Sequence, residues 1–135
     1  MIIMKNQKIL VTGGAGFIGT NLVNELRSRG HEVLAVDLYN TERDGYIRSD
    51  VRNYRQLERI FEKHTFDYVY HPAAEYCRWK GEDDYENLLQ TNCIGTKTEY
   101  TGRELPEGSR MSLNNGPQMG RKKFSSPYSE ILVKR

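Results

Sequence analysis

Apolar positions along the chain change period several times, and each change marks an element. Ile9, Leu10 and Val11 follow Lys8 without a polar break, as in a short strand covered on both faces. Phe17, Ile18, Leu22, Val23 and Leu26 then recur at helical spacing, predicting a helix over about 17–29. Arg27 and Arg29 complement its negative C-terminal end, and Gly30 suits a left-handed stop. Residues 32–37 read as a second buried strand, completing a right-handed parallel βαβ unit. Residues 46–49 predict a short third strand, closed by Asp50-Val51. Asn53 with Gln56 three residues on forms a capping box for a helix that buries Leu57, Ile60 and Phe61. Residues 66–71 are aromatic and β-branched, predicting a fourth strand. His71-Pro72-Ala73-Ala74 ends it with small side chains that leave room for a ligand. After Glu82-Asp83-Asp84, a last helix is expected to place Tyr85, Leu88, Leu89, Asn92, Cys93 and Thr96 on one face. Asn92 on that stripe needs a buried partner.

Beyond Thr96 the periodicity decays. Turn formers such as Asn114-Asn115-Gly116-Pro117 dominate, and only Ile131-Leu132-Val133 has the makings of a strand. The chain thus divides into 1–97, a folded body, and 98–135, an irregular tail. Charge follows the same division. Residues 1–96 hold 12 basic and 14 acidic side chains, net −2, whereas 97–135 hold 8 and 4, net +4. The whole chain of 135 residues carries only +2, too little by itself to argue for a nucleic-acid partner, and such a role for the basic tail is the least favoured reading. Arg121-Lys122-Lys123 reads as a solvated charge run. Cys77 and Cys93 form no metal-ligand spacing, so no metal is expected, and reduced thiols fit a cytoplasmic protein. The apolar start at Met1–Met4 is too short for a signal peptide or membrane span.

The chemistry concentrates between the first strand and the first helix. Gly13, Gly16 and Gly19 stand at the spacing of a dinucleotide-binding turn, and the flanks are the required strand and helix. Gly13 permits the sharp turn, Gly16 a close approach of a pyrophosphate, and Gly19 close packing of the helix on the sheet. The helix start then offers unpaired N–H groups to an anion. No Gly-Lys-Ser/Thr follows, which excludes a P-loop. Asp37 ends the second strand eighteen residues beyond Gly19. A carboxylate there accepts the adenosine ribose hydroxyls and repels a 2′-phosphate, which favours NAD as cofactor, with Arg43 a slight counterweight.

Together these residues resemble the extended short-chain dehydrogenase/reductase family, the NAD-dependent nucleotide-sugar epimerases and dehydratases, over roughly 7–97. Thr12 to Gly19, including Phe17 and Ile18, is similar to that family's cofactor-binding fingerprint. The resemblance implies that Asp37 reads the ribose, that Asp50-Val51 lies beside the adenine, and that His71, Ala73 and Ala74 run along the cofactor. It also implies that Asn92 in Asn92-Cys93-Ile94-Gly95-Thr96 braces the central sheet.

The later part departs from the family. The family's fifth strand ends in serines or threonine, a Tyr-x-x-x-Lys helix follows, and a C-terminal substrate domain closes the chain. Phe124-Ser125-Ser126 resembles that strand end, but Leu132 stands four residues after Tyr128 where lysine is required. Tyr76 to Lys80 spells the motif in a loop, and we read it as coincidence. The expectation is therefore α/β: a partial Rossmann-type, doubly wound parallel sheet of order 3-2-1-4 with an irregular basic tail. Its fourth strand would be a bare edge, to be covered by the tail or by self-association into a homo-oligomer. The implied function is NAD(H) binding with no assignable catalytic residue, a nucleotide sugar being bound only if the missing half is supplied. The alternatives are a non-enzymatic dinucleotide-binding or interaction module, and a disrupted gene product with an unrelated tail.

Overall fold

The computed structural model describes residues 6–39, 43–75, 84–96, 110–113 and 130–132. The elements are β1 (Lys8–Thr12), α1 (Phe17–Ser28), β2 (Glu32–Asp37), β3 (Tyr46–Arg48), α2 (Tyr54–Lys63), β4 (Tyr68–His71), α3 (Tyr85–Leu89), β5 (Arg110–Leu113) and β6 (Glu130–Leu132). The last turn of α3 continues as a π-helix over Gln90–Gly95. One six-stranded sheet has the order β3-β2-β1-β4-β5-β6. The pairings from β3 through β5 are parallel, and β6 lies antiparallel to β5.

The unbroken apolar runs are explained by what covers the two faces. Ile9 and Val11 of β1 join Val33 and Ala35 of β2 beneath Val23 and Leu26 of α1. Leu10 and Val36 point the other way, into a cluster with Val51, Val69, Phe66 and the α2 residues Leu57 and Ile60. Successive side chains on a strand face opposite sides, so both sets must be apolar when helices cover both faces. Phe61 closes the second cluster edge-on against Phe66, with ring centroids 5.8 Å apart.

The helix boundaries show the expected devices, with one rearrangement. Gly30 takes φ +84° just past α1, where a left-handed residue ends a helix. Asn53 caps α2, its side chain accepting from the Gln56 N–H. Gln56 does not return the bond to the Asn53 N–H, however. Its Oε1 accepts the Asp50 N–H at 2.8 Å, so the cap is extended backward to hold the turn after β3.

Arg27 does more than complement the helix end. Its Nη2 donates to the carbonyls of Val33, Asp44 and Gly45 at 3.0–3.2 Å, pinning α1 to the connection between β2 and β3. Exposed charge-assisted hydrogen bonds of this kind are worth about 1–2 kcal/mol together. Arg27→Met should therefore lower unfolding free energy by about that amount, read as an earlier urea midpoint at unchanged m-value.

The structure decides three expectations. First, the edge expected at β4 is covered by the tail, one of the outcomes foreseen for it, since β5 pairs along β4 from Tyr68↔Arg110 to His71↔Leu113. Second, the region beyond 97 is not uniformly irregular. It contributes β5, which the sequence did not reveal, and β6, one residue earlier than Ile131–Val133. Four residues are too few to show a period, and their pairing is decided by a distant partner. Third, the apolar stripe expected from Tyr85 to Thr96 is not a buried face. Tyr85 is 64% exposed and Leu89 39%, and Cys93 is exposed as well; from Gln90 onward the i→i+5 turn of the π-helix breaks the 3.6-residue repeat on which the stripe depends. The segments Tyr76–Lys80, Arg121–Lys123 and Phe124–Tyr128 lie outside the described residues.

Candidate functional site

The carboxyl ends of β1, β2 and β4 converge on a cleft of about 560 Å³. Between β1 and α1 the chain makes the glycine turn. Gly13 has φ +64°, and a Cβ there would lie 2.8 Å from the backbone of Ala73. It thus serves both the turn and the approach of the segment after β4. At Gly16 a Cβ would meet only the Gly13 carbonyl, at 3.3 Å, so its other side remains open to the cleft. Gly19 is needed for a different reason from the expected one. A Cβ there would overlap the Gly13 carbonyl oxygen, so its absence lets α1 close on the turn itself. Packing of turn against sheet falls to Gly14, which sequence reasoning passed over: a Cβ there would come 2.7 Å from that of Ala35.

Gly16 is the N-cap of α1 and has no side chain to cap it, nor does an acidic residue occupy the first turn. The initial N–H groups of a helix have no intrahelical acceptor, so the backbone at Phe17 and Ile18 presents donors and partial positive charge. Their side chains turn away, Phe17 being 87% exposed. Asp37, at the end of β2, is held by the backbone on both oxygens. Oδ2 accepts from Ala15 N–H at 2.9 Å and Oδ1 from Leu38 N–H at 2.7 Å. The carboxylate is therefore fixed beside the glycine turn.

Of the expected site residues, Gly13, Gly16, Asp37, Val51, Ala73 and Ala74 line the cleft. Gly19, Asp50, His71 and the side chains of Phe17 and Ile18 do not. His71 is fully buried. Its Nδ1 shares a 2.6 Å hydrogen bond with Thr12 Oγ1, and its Nε2 faces Thr96 Oγ1 at 3.4 Å. It ties the ends of β1 and β4 to the π-helix instead of facing a ligand. Asp50 turns toward Arg52, whose guanidinium binds it at 2.7–3.1 Å and also donates to Asn87 Oδ1 at 2.6 Å.

The Arg52 hydrogen bonds hold the Asp50 carboxyl below its ordinary range, outweighing burial, which pushes it up. A carboxylate depressed in the folded state stabilises fully above its unfolded pKa and loses that contribution as pH falls through the folded one. Asp50→Asn should therefore be less stable than the parent chain at neutral pH. The gap should close as pH drops below about 4, measured by urea unfolding across the acid range.

The segment Asn92 to Thr96 supports the cleft from outside. Asn92 is the partnered polar residue the sequence called for: Oδ1 accepts the Glu75 N–H at 2.8 Å and Nδ2 donates to the Glu75 carbonyl at 3.0 Å. This clamp fixes the loop just after Ala73-Ala74. Gly95 lies against Val51, where a Cβ would come 2.9 Å from Cγ2. Thr96 reaches His71. Residues the sequence did not single out also line the cleft, among them Leu38, Tyr39, Ser49, Arg52 and Asn87. Leu38 and Ser49 each follow directly on a parallel strand, the position where such sites collect ligand contacts, and that rule was the available signal for them. Among the described residues no group of three His, Cys, Asp or Glu side chains is placed to hold a metal. No described helix is long and apolar enough to cross a membrane.

A family model, the NAD dependent epimerase/dehydratase family, matches residues 9–98. The chain belongs to that family. Its epimerase/dehydratase relatives include the bifunctional UDP-glucose 4-epimerase and UDP-xylose 4-epimerase 1 of Pisum sativum, 30% identical over 73% of this chain and 33% of that protein. A probable dTDP-glucose 4,6-dehydratase of Sinorhizobium fredii is 36% identical over 67% of this chain and 30% of its own length. Among solved structures, the Thermus thermophilus UDP-glucose 4-epimerase in complex with NAD superposes with a TM-score of 0.65 at 30% identity, covering 70% of this chain and 33% of that one. The Bordetella bronchiseptica enzyme WbmG, in complex with NAD and UDP, gives 0.65 at 30% identity over 76% and 35%. The chain spans about a third of the length of the curated relatives it matches. The epimerase/dehydratase family is NAD dependent, in agreement with the cofactor that Asp37 favours, and the sheet is the Rossmann-type one expected.

Proposed function

We propose that this chain is the cofactor-holding portion of an NAD-dependent enzyme acting on a nucleotide sugar. The observation that carries the reading is the backbone-clamped carboxylate of Asp37 beside a glycine turn whose Gly16 side is open to the cleft. The donor set fits a dinucleotide: N–H groups at the uncapped start of α1 for the pyrophosphate, Asp37 for the adenosine ribose, and small Ala73 and Ala74 where the cofactor must pass β4. Gly13, Gly16, Val51 and the backbone of Phe17 and Ile18 complete the cradle. When bound, NAD supplies a hydride acceptor for oxidation at a sugar carbon.

The role of the chain's own residues is binding and orientation. His71, buried and hydrogen-bonded, sets the spacing of β1 and β4, and Asn92 holds the loop that forms the far wall. Among the described residues the cleft presents no tyrosine–lysine pair for proton transfer, so this reading assigns the chain no catalytic base. The nucleotide sugar belongs to the proposal through the UDP- and dTDP-sugar names of the relatives. Titration with NADH, followed by calorimetry and by emission of the single tryptophan Trp79, tests it. Saturable binding, with NADPH bound more weakly, is expected. A folded chain that binds neither sinks the reading. Turnover of UDP-glucose by the chain alone would overturn the assignment of no base.

A further inference from the structure

The cleft holds one unexplained polar group. Ser49 follows directly on β3, is 2% exposed, and lines the cleft. Among the described residues, its Oγ is the buried side-chain polar atom that has no hydrogen-bond partner. A buried hydroxyl without a partner is costly, and native structures retain few of them. Its position is well defined, because the Ser49 N–H donates to the Asp37 carbonyl at 2.8 Å. Ser49 therefore stands beside the residue that reads the ribose, on the β2–β3 side of the glycine turn.

We propose that Ser49 Oγ is a binding group for the adenosine half of the dinucleotide, meeting a purine ring nitrogen or a ribose oxygen. The assignment rests on the NAD reading above and adds a residue to it. Three features of the wall support it. Leu38 and Val51, also in the cleft lining, offer apolar surface to a flat ring but no side-chain hydrogen bond. A serine hydroxyl can both donate and accept. Turning it about χ1 toward a ligand breaks no existing bond. The nicotinamide half is excluded, because Asp37 marks the adenosine end of such a site.

The test compares Ser49→Ala with the parent chain, using NADH and AMP as probes. AMP carries the adenosine half alone. Removal of one ligand hydrogen bond should weaken both by the same factor, about fivefold. The ligand-free variant should melt no lower than the parent, because it no longer buries an unpaired hydroxyl. A serine that only served the fold would behave in the opposite way, with a lower melting temperature and unchanged affinity. Ser49→Gly gives the same binding readout if the alanine variant does not fold. Binding of both probes within about twofold of the parent, or loss of NADH affinity without loss of AMP affinity, overturns the assignment. If the parent chain itself binds no NADH, the NAD reading fails together with it. If the parent binds and the variants match it, only the role of Ser49 is lost.

Discussion

Gly19→Ala should lower the unfolding free energy by about 3 kcal/mol or more, a large share of the roughly 5–15 kcal/mol that holds a domain folded. The direction is opposite to the usual one. Glycine to alanine inside a helix normally stabilises by up to about 1 kcal/mol, and Gly19 lies within α1. Here the added methyl would overlap the Gly13 carbonyl oxygen and come 2.7 Å from its carbon and 2.8 Å from Gly14 Cα. All three atoms are backbone, so no side chain can rotate aside. Either α1 lifts from the turn or the turn opens, and both loosen the packing of Val23 and Leu26 on Ile9, Val11, Val33 and Ala35 of the sheet. Gly30→Ala is the matched control. It has positive φ but nothing within 4 Å of the new Cβ, so it should cost only about 1–2 kcal/mol of backbone strain. Urea midpoints that fail to separate the two variants would refute the close approach of α1 to its turn.

Asp37→Ala should reduce NADH affinity by about tenfold to hundredfold, the loss of one or two hydrogen bonds to a charged group. Two effects combine. The ribose loses its acceptor, and the Ala15 and Leu38 N–H groups lose the carboxylate that fixes the turn. Asp37→Asn separates them. The amide retains an acceptor and the shape but not the charge, so it should keep more NADH affinity while bringing NADPH closer to NADH, since the repulsion of a 2′-phosphate is gone. Calorimetric titration of both cofactors into the three proteins measures this. Unchanged NADH affinity in a folded Asp37→Ala chain would place the ribose elsewhere.

The front of the fold was legible because its physics is local. An apolar run, a glycine turn and a helical period sit side by side from Lys8 to Leu26, and each fixes the next. Asp37 was legible for the same reason, standing at the end of an apolar strand. What escaped depends on partners far along the chain. His71 matched a cofactor-side motif by type, yet its ring is spent on Thr12 and Thr96. Asp50 is likewise engaged by Arg52, and only three-dimensional placement moves it out of the cleft while keeping Val51 in. The stripe from Tyr85 assumed a regular α-helix, and the π-turn through Asn92 defeated it. That turn carries Asn92 to Glu75, so the irregularity missed by period counting is the part that supports the site. Strand β5 carries no periodic signal within Arg110–Leu113 and is defined by its pairing with β4.

The central place of β1 also constrains how the chain is made. It precedes both of its neighbours in the chain, and its two edges are closed by β2 and β4, so Ile9 waits for Tyr68. Parallel pairing between such distant segments is slow, because loop closure precedes any reward from contact. Until β4 emerges, Ile9, Leu10 and Val11 form an apolar, hydrogen-bond-hungry segment that only half of the sheet can satisfy. Transiently exposed apolar surface and unpaired strand edges of this kind are what make a folding chain prone to aggregate. Slowing translation between β2 and β4 should lengthen that exposure without altering the finished protein.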